Sequence, residues 1–250
     1  MLQAADWLIL AAAGFLGGLR NAVAGGGSFF TLPALMYVGV PPLMANATGT
    51  TVLLPGYIAS AWRFRRDLRW PEQLGRSVAV GLILLGGSAG ALLLLMTGDA
   101  AFERLIPWLI LFATLWFALG PRLVGRQKAA LSRGVSAGVL IAVCVYGGYF
   151  NGGLGVVLLA AFAYMGFTSL VTMNGLKNVA SALLTSIAVL VYWWGGAIAW
   201  QSTAWMMVFS VIGGYAGAAW SYRVSQAALR GFITASGLLI SVIFFIRLAS

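Results

Sequence analysis

Two cations stand in apolar stretches of this sequence, where a charge is costly. Arg20 lies 14 residues after Asp6 in one such run, and Lys177 sits within Met173-Asn174-Gly175-Leu176-Lys177-Asn178 near the head of another. A charge at the centre of a spanning helix costs about 2.5–3.5 kcal/mol on insertion scales. All five acidic residues (Asp6, Asp67, Glu72, Asp99 and Glu103) fall in loops or at the ends of apolar segments. Neither cation therefore has an acidic partner in its own segment, and a small anion taken up from solution is a natural counter-charge. The competing reading is snorkelling of either side chain to the nearer membrane face.

Glycine runs accompany these cations. Gly25-Gly26-Gly27 interrupts the first apolar stretch, and Gly152-Gly153-Leu154-Gly155 interrupts a later one. Three successive glycines cannot sustain a helix in a bilayer, and irregular backbone at that depth is tolerated only where protein buries it or it lines a cavity. Helix N-termini at such breaks offer free N–H groups and partial positive charge to an anion. Side-chain amides and hydroxyls collect nearby: Asn21, Asn46, Thr48, Thr50 and Thr51 about the first break, and Asn151, Asn174 and Asn178 about the second. Each of these taken singly also serves as glue between helices. The candidate substrate-binding set is Arg20, Asn21, Gly25, Gly26, Gly27, Asn46, Thr48, Thr50, Asn151, Gly152, Gly153, Asn174, Lys177 and Asn178.

Missing residue types narrow the chemistry. There is no histidine, and no carboxylate lies inside an apolar segment, so no proton relay is expected. No Walker-type Gly-Lys-Ser/Thr loop for ATP is present. Cys144 is the one cysteine, which rules out an intrachain disulfide and a thiolate metal cluster. Groups for acid–base or nucleophilic catalysis are scarce, so neither an enzyme nor a cofactor or metal is expected.

The elements that must hold these groups are membrane helices. The 250 residues are 61% hydrophobic and 8% charged, far too few charges for a soluble surface. The net charge of +10 does not point to nucleic acid, because the basic residues cluster in short loops, as the positive-inside rule expects. No cleavable leader or lipidation motif is expected. Ten segments can be drawn: Asp6–Ala24, Ser28–Val40, Leu43–Trp62, Ser77–Thr97, Arg104–Gly120, Val135–Phe150, Leu154–Met165, Leu170–Trp194, Ala204–Tyr222 and Phe232–Leu248. An acidic turn, Gly98 through Glu103, precedes the fifth. The second and seventh are too short to cross a core of about 30 Å and read as half-membrane helices, re-entrant with the segments before them.

The chain is duplicated. A shift of 127 residues pairs Gly25-Gly26 with Gly152-Gly153, Tyr37 with Tyr164 and Gly39 with Gly166. It also pairs Gly86-Gly87-Ser88-Ala89-Gly90-Ala91 with Gly213-Gly214-Tyr215-Ala216-Gly217-Ala218, identical at five of six positions. Each half, 1–125 and 126–250, carries five segments, and an odd number inverts the second half relative to the first. Basic loops at Arg63–Arg76, Arg122–Arg133 and Arg223–Arg230 belong in the cytoplasm. The turns at Asp99–Glu103 and near Gly195 then lie outside, with both termini. The expected fold is an all-α polytopic membrane protein, an inverted repeat with broken or re-entrant half-helices at its glycine-rich motifs.

These residues resemble the sulfite exporter TauE/SafE family of bacterial membrane permeases. The likeness runs through Gly14-Phe15, Asn21-Ala22-Val23-Ala24-Gly25-Gly26-Gly27, Leu32-Pro33-Ala34-Leu35, Gly39-Val40-Pro41-Pro42 and Ala45-Asn46-Ala47-Thr48-Gly49-Thr50. In the second half it runs through Gly147-Gly148-Tyr149-Phe150, Gly152-Gly153-Leu154-Gly155 and Met173 to Asn178. The second half departs from the pattern at Leu154 and at Ala160-Ala161, so a less sharp break is expected there. The resemblance implies an inner-membrane carrier of small sulfur anions such as sulfite, thiosulfate or sulfonates. The expected function is export of such an anion by alternating access around a midplane cationic site. The alternatives are an anion channel on the same fold and a membrane scaffold that transports nothing. Expected partners are the anion and the lipid bilayer, not nucleic acid, with a homodimer left open.

Overall fold

Glycine and proline punctuation sets the helix ends in the computed structural model, which describes residues 2–66, 68–124, 131–220 and 226–249. Ten helices follow in order: α1 (Ala4–Ala24), α2 (Ser28–Tyr37), α3 (Pro42–Arg63), α4 (Gly75–Thr97), α5 (Asp99–Val124), α6 (Arg133–Tyr149), α7 (Leu154–Tyr164), α8 (Leu170–Trp194), α9 (Trp200–Trp220) and α10 (Gln226–Ala249). No strand occurs among the described residues. Asp67, the part of the second basic loop at 125–130 and Arg223 of the third lie outside them.

Three expected boundaries move. The acidic turn is not a turn: Asp99 opens α5, where its carboxylate faces the partial positive charge of the helix N-terminus. Its Oδ1 also accepts from the Leu43 backbone N–H at 2.9 Å, so it caps the start of α3 as well. Trp200 opens α9 instead of lying in the preceding turn, and Arg230 lies within α10 instead of the loop before it. Pro42 begins α3, where its missing N–H leaves no intrahelical bond unmade.

By length and composition, α4 and residues Val171–Trp194 of α8 can cross a membrane. In contrast α2 and α7 have 10 and 11 residues, about 15–17 Å of helix and roughly half of an apolar core. Large apolar side chains face outward along the outer helices, among them Leu85 and Leu93 of α4, Trp108 of α5, Ile212 and Tyr215 of α9 and Ile246 of α10.

Small residues decide the tightest crossings. On α1, a Cβ added to Gly18 would lie 2.0 Å from the Ser210 carbonyl oxygen of α9. On α9, one added to Gly213 would lie 2.0 Å from the Phe15 carbonyl oxygen of α1. The pair α4 and α6 repeats this geometry, with Gly90 at 2.1 Å from the Val145 oxygen and Gly148 at 2.3 Å from the Gly87 oxygen. Backbones approach this closely only where side chains are absent. The duplicated Gly86–Ala91 and Gly213–Ala218 motifs thus hold α6 and α1, the two helices that run into the breaks. Elsewhere α3 packs on α8 and α9, α8 on α4, and α5 on α10. Ser241 Oγ donates to the Pro107 carbonyl at 3.0 Å across that last pair.

The buried apolar side chains form two clusters. One contains Leu10, Leu35, Phe102 and Tyr192, the other Ile83, Leu158, Phe162 and Leu184. Phe150 belongs to the first and Leu154 to the second, so the irregular backbone between them sits at the seam.

Candidate substrate site at the paired helix breaks

Helix α1 ends where Gly25 and Gly26 take φ of 77° and 83°, a left-handed backbone that disfavours side chains. The second break is as complete as the first. Between α6 and α7, Asn151 takes φ 60° and Gly153 φ 71°. Leu154 in place of a third glycine does not blunt it, because Leu154 is already the first residue of α7. The expected weaker second break is corrected on that ground. Asn is among the few side chains that tolerate the left-handed region, so Asn151 does there what glycine does in the first half.

The two breaks touch. A Cβ on Gly25 would lie 3.2 Å from Gly155 Cα, and one on Gly26 would lie 3.5 Å from Gly153 N. Residues 130 positions apart in the chain are thereby backbone neighbours.

Arg20 is 3% exposed on α1, with its guanidinium 4.3 Å from the centre of the Phe29 ring and 5.6 Å from that of Phe30. Its Nε and Nη1 have no hydrogen-bond partner. Aromatic faces attract a cation but leave its N–H groups unspent. Asn21 Oδ1 also lacks a partner, as do Ser28 Oγ, Thr31 Oγ1 and Asn151 Nδ2. Asn151 Oδ1 accepts from the Tyr57 hydroxyl at 3.3 Å. Tyr57 thus ties α3 to the second break.

Lys177 is 4% exposed on α8, and its Nζ donates to Asn174 Oδ1 at 3.1 Å. Asn178 is buried on the same helix. Asn46, expected about the first break, crosses to the second: its Nδ2 donates to the Tyr149 carbonyl at 2.9 Å. Thr48 Oγ1 accepts from the Ala199 N–H at 3.0 Å, in the turn between α8 and α9. Thr50 Oγ1 is buried without a partner, whereas Thr51 Oγ1 donates back to the Ala47 carbonyl at 2.7 Å.

Several polar groups escaped the sequence reading. Ser181 and Thr185 of α8 are buried with partnerless hydroxyls. With Lys177 they form an i, i+4, i+8 stripe, a spacing that would have found them. Asn46, Thr50 and Tyr57 likewise share one face of α3. Tyr146 donates to the Gly152 carbonyl and Tyr192 to the Gly148 carbonyl. No sequence signal marks a tyrosine that braces a distant carbonyl. Among the described residues, no group of three or more His, Cys, Asp or Glu side chains gathers as metal ligands.

Comparison with known proteins gives the chain its family. The family model described as "Sulfite exporter TauE/SafE" matches residues 10–244. A "Probable membrane transporter protein" of Haemophilus influenzae is 30% identical over 219 residues, covering 84% of this chain and 83% of that one. "Probable membrane transporter protein YfcA" of Escherichia coli K12 is 26% identical over 227 residues, covering 87% and 81%. "Probable membrane transporter protein ORF9" of a Sinorhizobium species is 25% identical over 224 residues, covering 86% and 82%. No solved structure matches.

Proposed function

Because this chain belongs to the sulfite exporter TauE/SafE family of membrane transporters, we propose that it exports a small sulfur-containing anion across the bacterial inner membrane. Sulfite, thiosulfate and organosulfonates are the candidates. The observation that carries this reading is the contact of the two breaks beside Arg20 and Asn151, whose buried donors lack partners. An unmade hydrogen bond at a buried group costs about 1–3 kcal/mol, more when the group is charged. An oxyanion takes up several such donors at once and offsets the buried guanidinium.

We read the halves as inverted repeats that rock against each other in alternating access. Exchanging α1–α5 with α6–α10 turns the α1–α9 pair into α6–α4 and the α3–α9 pair into α8–α4, and both partners of each exchange occur. The α3–α8 and α5–α10 pairs map onto themselves. Re-entrance of α2 is supported by Gly27, whose Cβ position falls 2.4 Å from the Gly17 carbonyl oxygen, back along α1. In this arrangement the basic loop after α3 is cytoplasmic and both termini are outside.

The test is uptake of radiolabelled sulfite into proteoliposomes, with sulfate, thiosulfate and a sulfonate as competitors. Wild type is expected to show saturable uptake that Arg20→Gln and Lys177→Ala weaken while remaining folded. A folded wild type that moves none of these anions overturns the proposal. Coupling is tested with a permanently ionised sulfonate: with no carboxylate relay in the helices, a pH gradient is expected not to drive it uphill.

A further inference from the structure

We propose that Tyr57 is a positioning residue, whose hydroxyl donates to Asn151 Oδ1 and so turns the Asn151 amide to present its Nδ2 donor to the anion. The proposal rests on the transport reading above. A side-chain amide has two unlike ends, an acceptor oxygen and a donor NH2. For an anion site, which end faces inward decides between attraction and repulsion. Asn151 is wholly buried, and its Nδ2 has no partner. Its backbone, at φ 60°, is the one non-glycine among the described residues held at positive φ. The chain is fixed there, and rotation of the amide is the freedom left to settle.

Tyr57 settles it. The residue is 2% exposed on α3, and its hydroxyl lies 3.3 Å from Asn151 Oδ1. Arg20 stands on α1, whose end at Gly25 meets Gly155 of the second break. The partnerless Arg20 donors and the partnerless Asn151 donor thus belong to the two breaks that touch. The device exists in one half only: 127 residues on from Tyr57 stands Leu184. A bland account has the phenol only keeping a buried amide satisfied. The two accounts differ in what its removal changes. Lost satisfaction lowers stability, whereas lost orientation weakens anion binding.

The experiment measures sulfite uptake kinetics in proteoliposomes for wild type, Tyr57→Phe, Asn151→Ala and the double variant. Tyr57→Phe is expected to raise KM about fivefold with Vmax retained, the loss of one hydrogen bond's worth of positioning. In the Asn151→Ala background the same change is expected to alter KM less than twofold, because no amide remains to orient. Equal effects in both backgrounds, or a wild-type KM in Tyr57→Phe, overturn the inference while saturable wild-type transport keeps the proposed function. Absence of transport in folded wild type removes both. Should Tyr57→Phe not elute as folded protein, Tyr57→Leu, which copies the residue at the equivalent position of the second half, takes its place in the same cycle. Additive effects of Tyr57→Leu and Asn151→Ala then overturn the inference.

Discussion

The second break is braced and the first is not. Around the second, Tyr192 donates to the Gly148 carbonyl, Asn46 to the Tyr149 carbonyl and Tyr146 to the Gly152 carbonyl. Around the first, among the described residues, the carbonyls of Asn21, Gly26 and Gly27 accept backbone N–H groups from Gly25, Phe29, Phe30 and Thr31. Its side chains Arg20, Asn21, Ser28 and Thr31 each keep a polar atom without a partner. One motif, used twice, has its carbonyls braced by side chains in the second half, where Asn151 Nδ2 still stays open, and has most of its polar side chains left open in the first. A satisfied break resists motion because every displacement unmakes a bond. An open break gains from whatever brings the missing partners. On the proposed function, anchoring falls mainly to the second half and ligand uptake mainly to the first, with Asn151 as the second half's contribution to uptake.

The largest effect belongs to the open side. Arg20→Gln is expected to cut sulfite kcat/KM about 100-fold, the loss of a charge-assisted pair, with the unfolding temperature retained. Lys177→Ala follows at about tenfold by the same uptake assay, since its ammonium already spends one donor on Asn174. On the braced side the readout changes. Tyr192→Phe strands the buried Gly148 carbonyl, and a loss of about 1–3 kcal/mol in stability is expected by denaturant unfolding in detergent, with KM within about twofold of wild type. Thr97→Val, which removes the acceptor of a 3.2 Å bond from the partly buried Tyr149 hydroxyl, is expected to cost at most about 1 kcal/mol. A Tyr192→Phe variant that shifts KM but not stability would break the division between the halves.

Helix positions were legible because hydropathy and glycine placement carry them. The eighth segment was read to the residue, Leu170–Trp194, and both breaks were found from glycine alone. The true start of α5 was missed, and a turn read in its place, because the carboxylates of Asp99 and Glu103 look like loop residues in a hydropathy reading. Asp99 in fact caps a helix, a role set by position and not by polarity. Arg20, Asn21 and Asn151 each stood out in the sequence because cost marks them: polar side chains in apolar stretches ask for a reason. Tyr57, Tyr146 and Tyr192 were not, because a tyrosine in an apolar helix is ordinary. Its partner here is 94 residues away for Tyr57 and 44 for Tyr192. Asn46 was assigned to the nearer break by sequence distance, whereas its Nδ2 donates to the Tyr149 carbonyl at the end of α6, beside the farther one.

The glycine face of α1 has a consequence for how the protein is made. Gly14 and Gly18 fit against Met206 and Ser210 of α9, which leave the ribosome about 192 residues later. At about 5–20 residues per second that interval lasts roughly 10–40 s. Through it the newborn first helix, with Arg20 inside it, has no α9 to lie against and depends on lipid or on the insertion machinery. Chains stalled before α9 should therefore be the ones a cell's membrane proteases clear first.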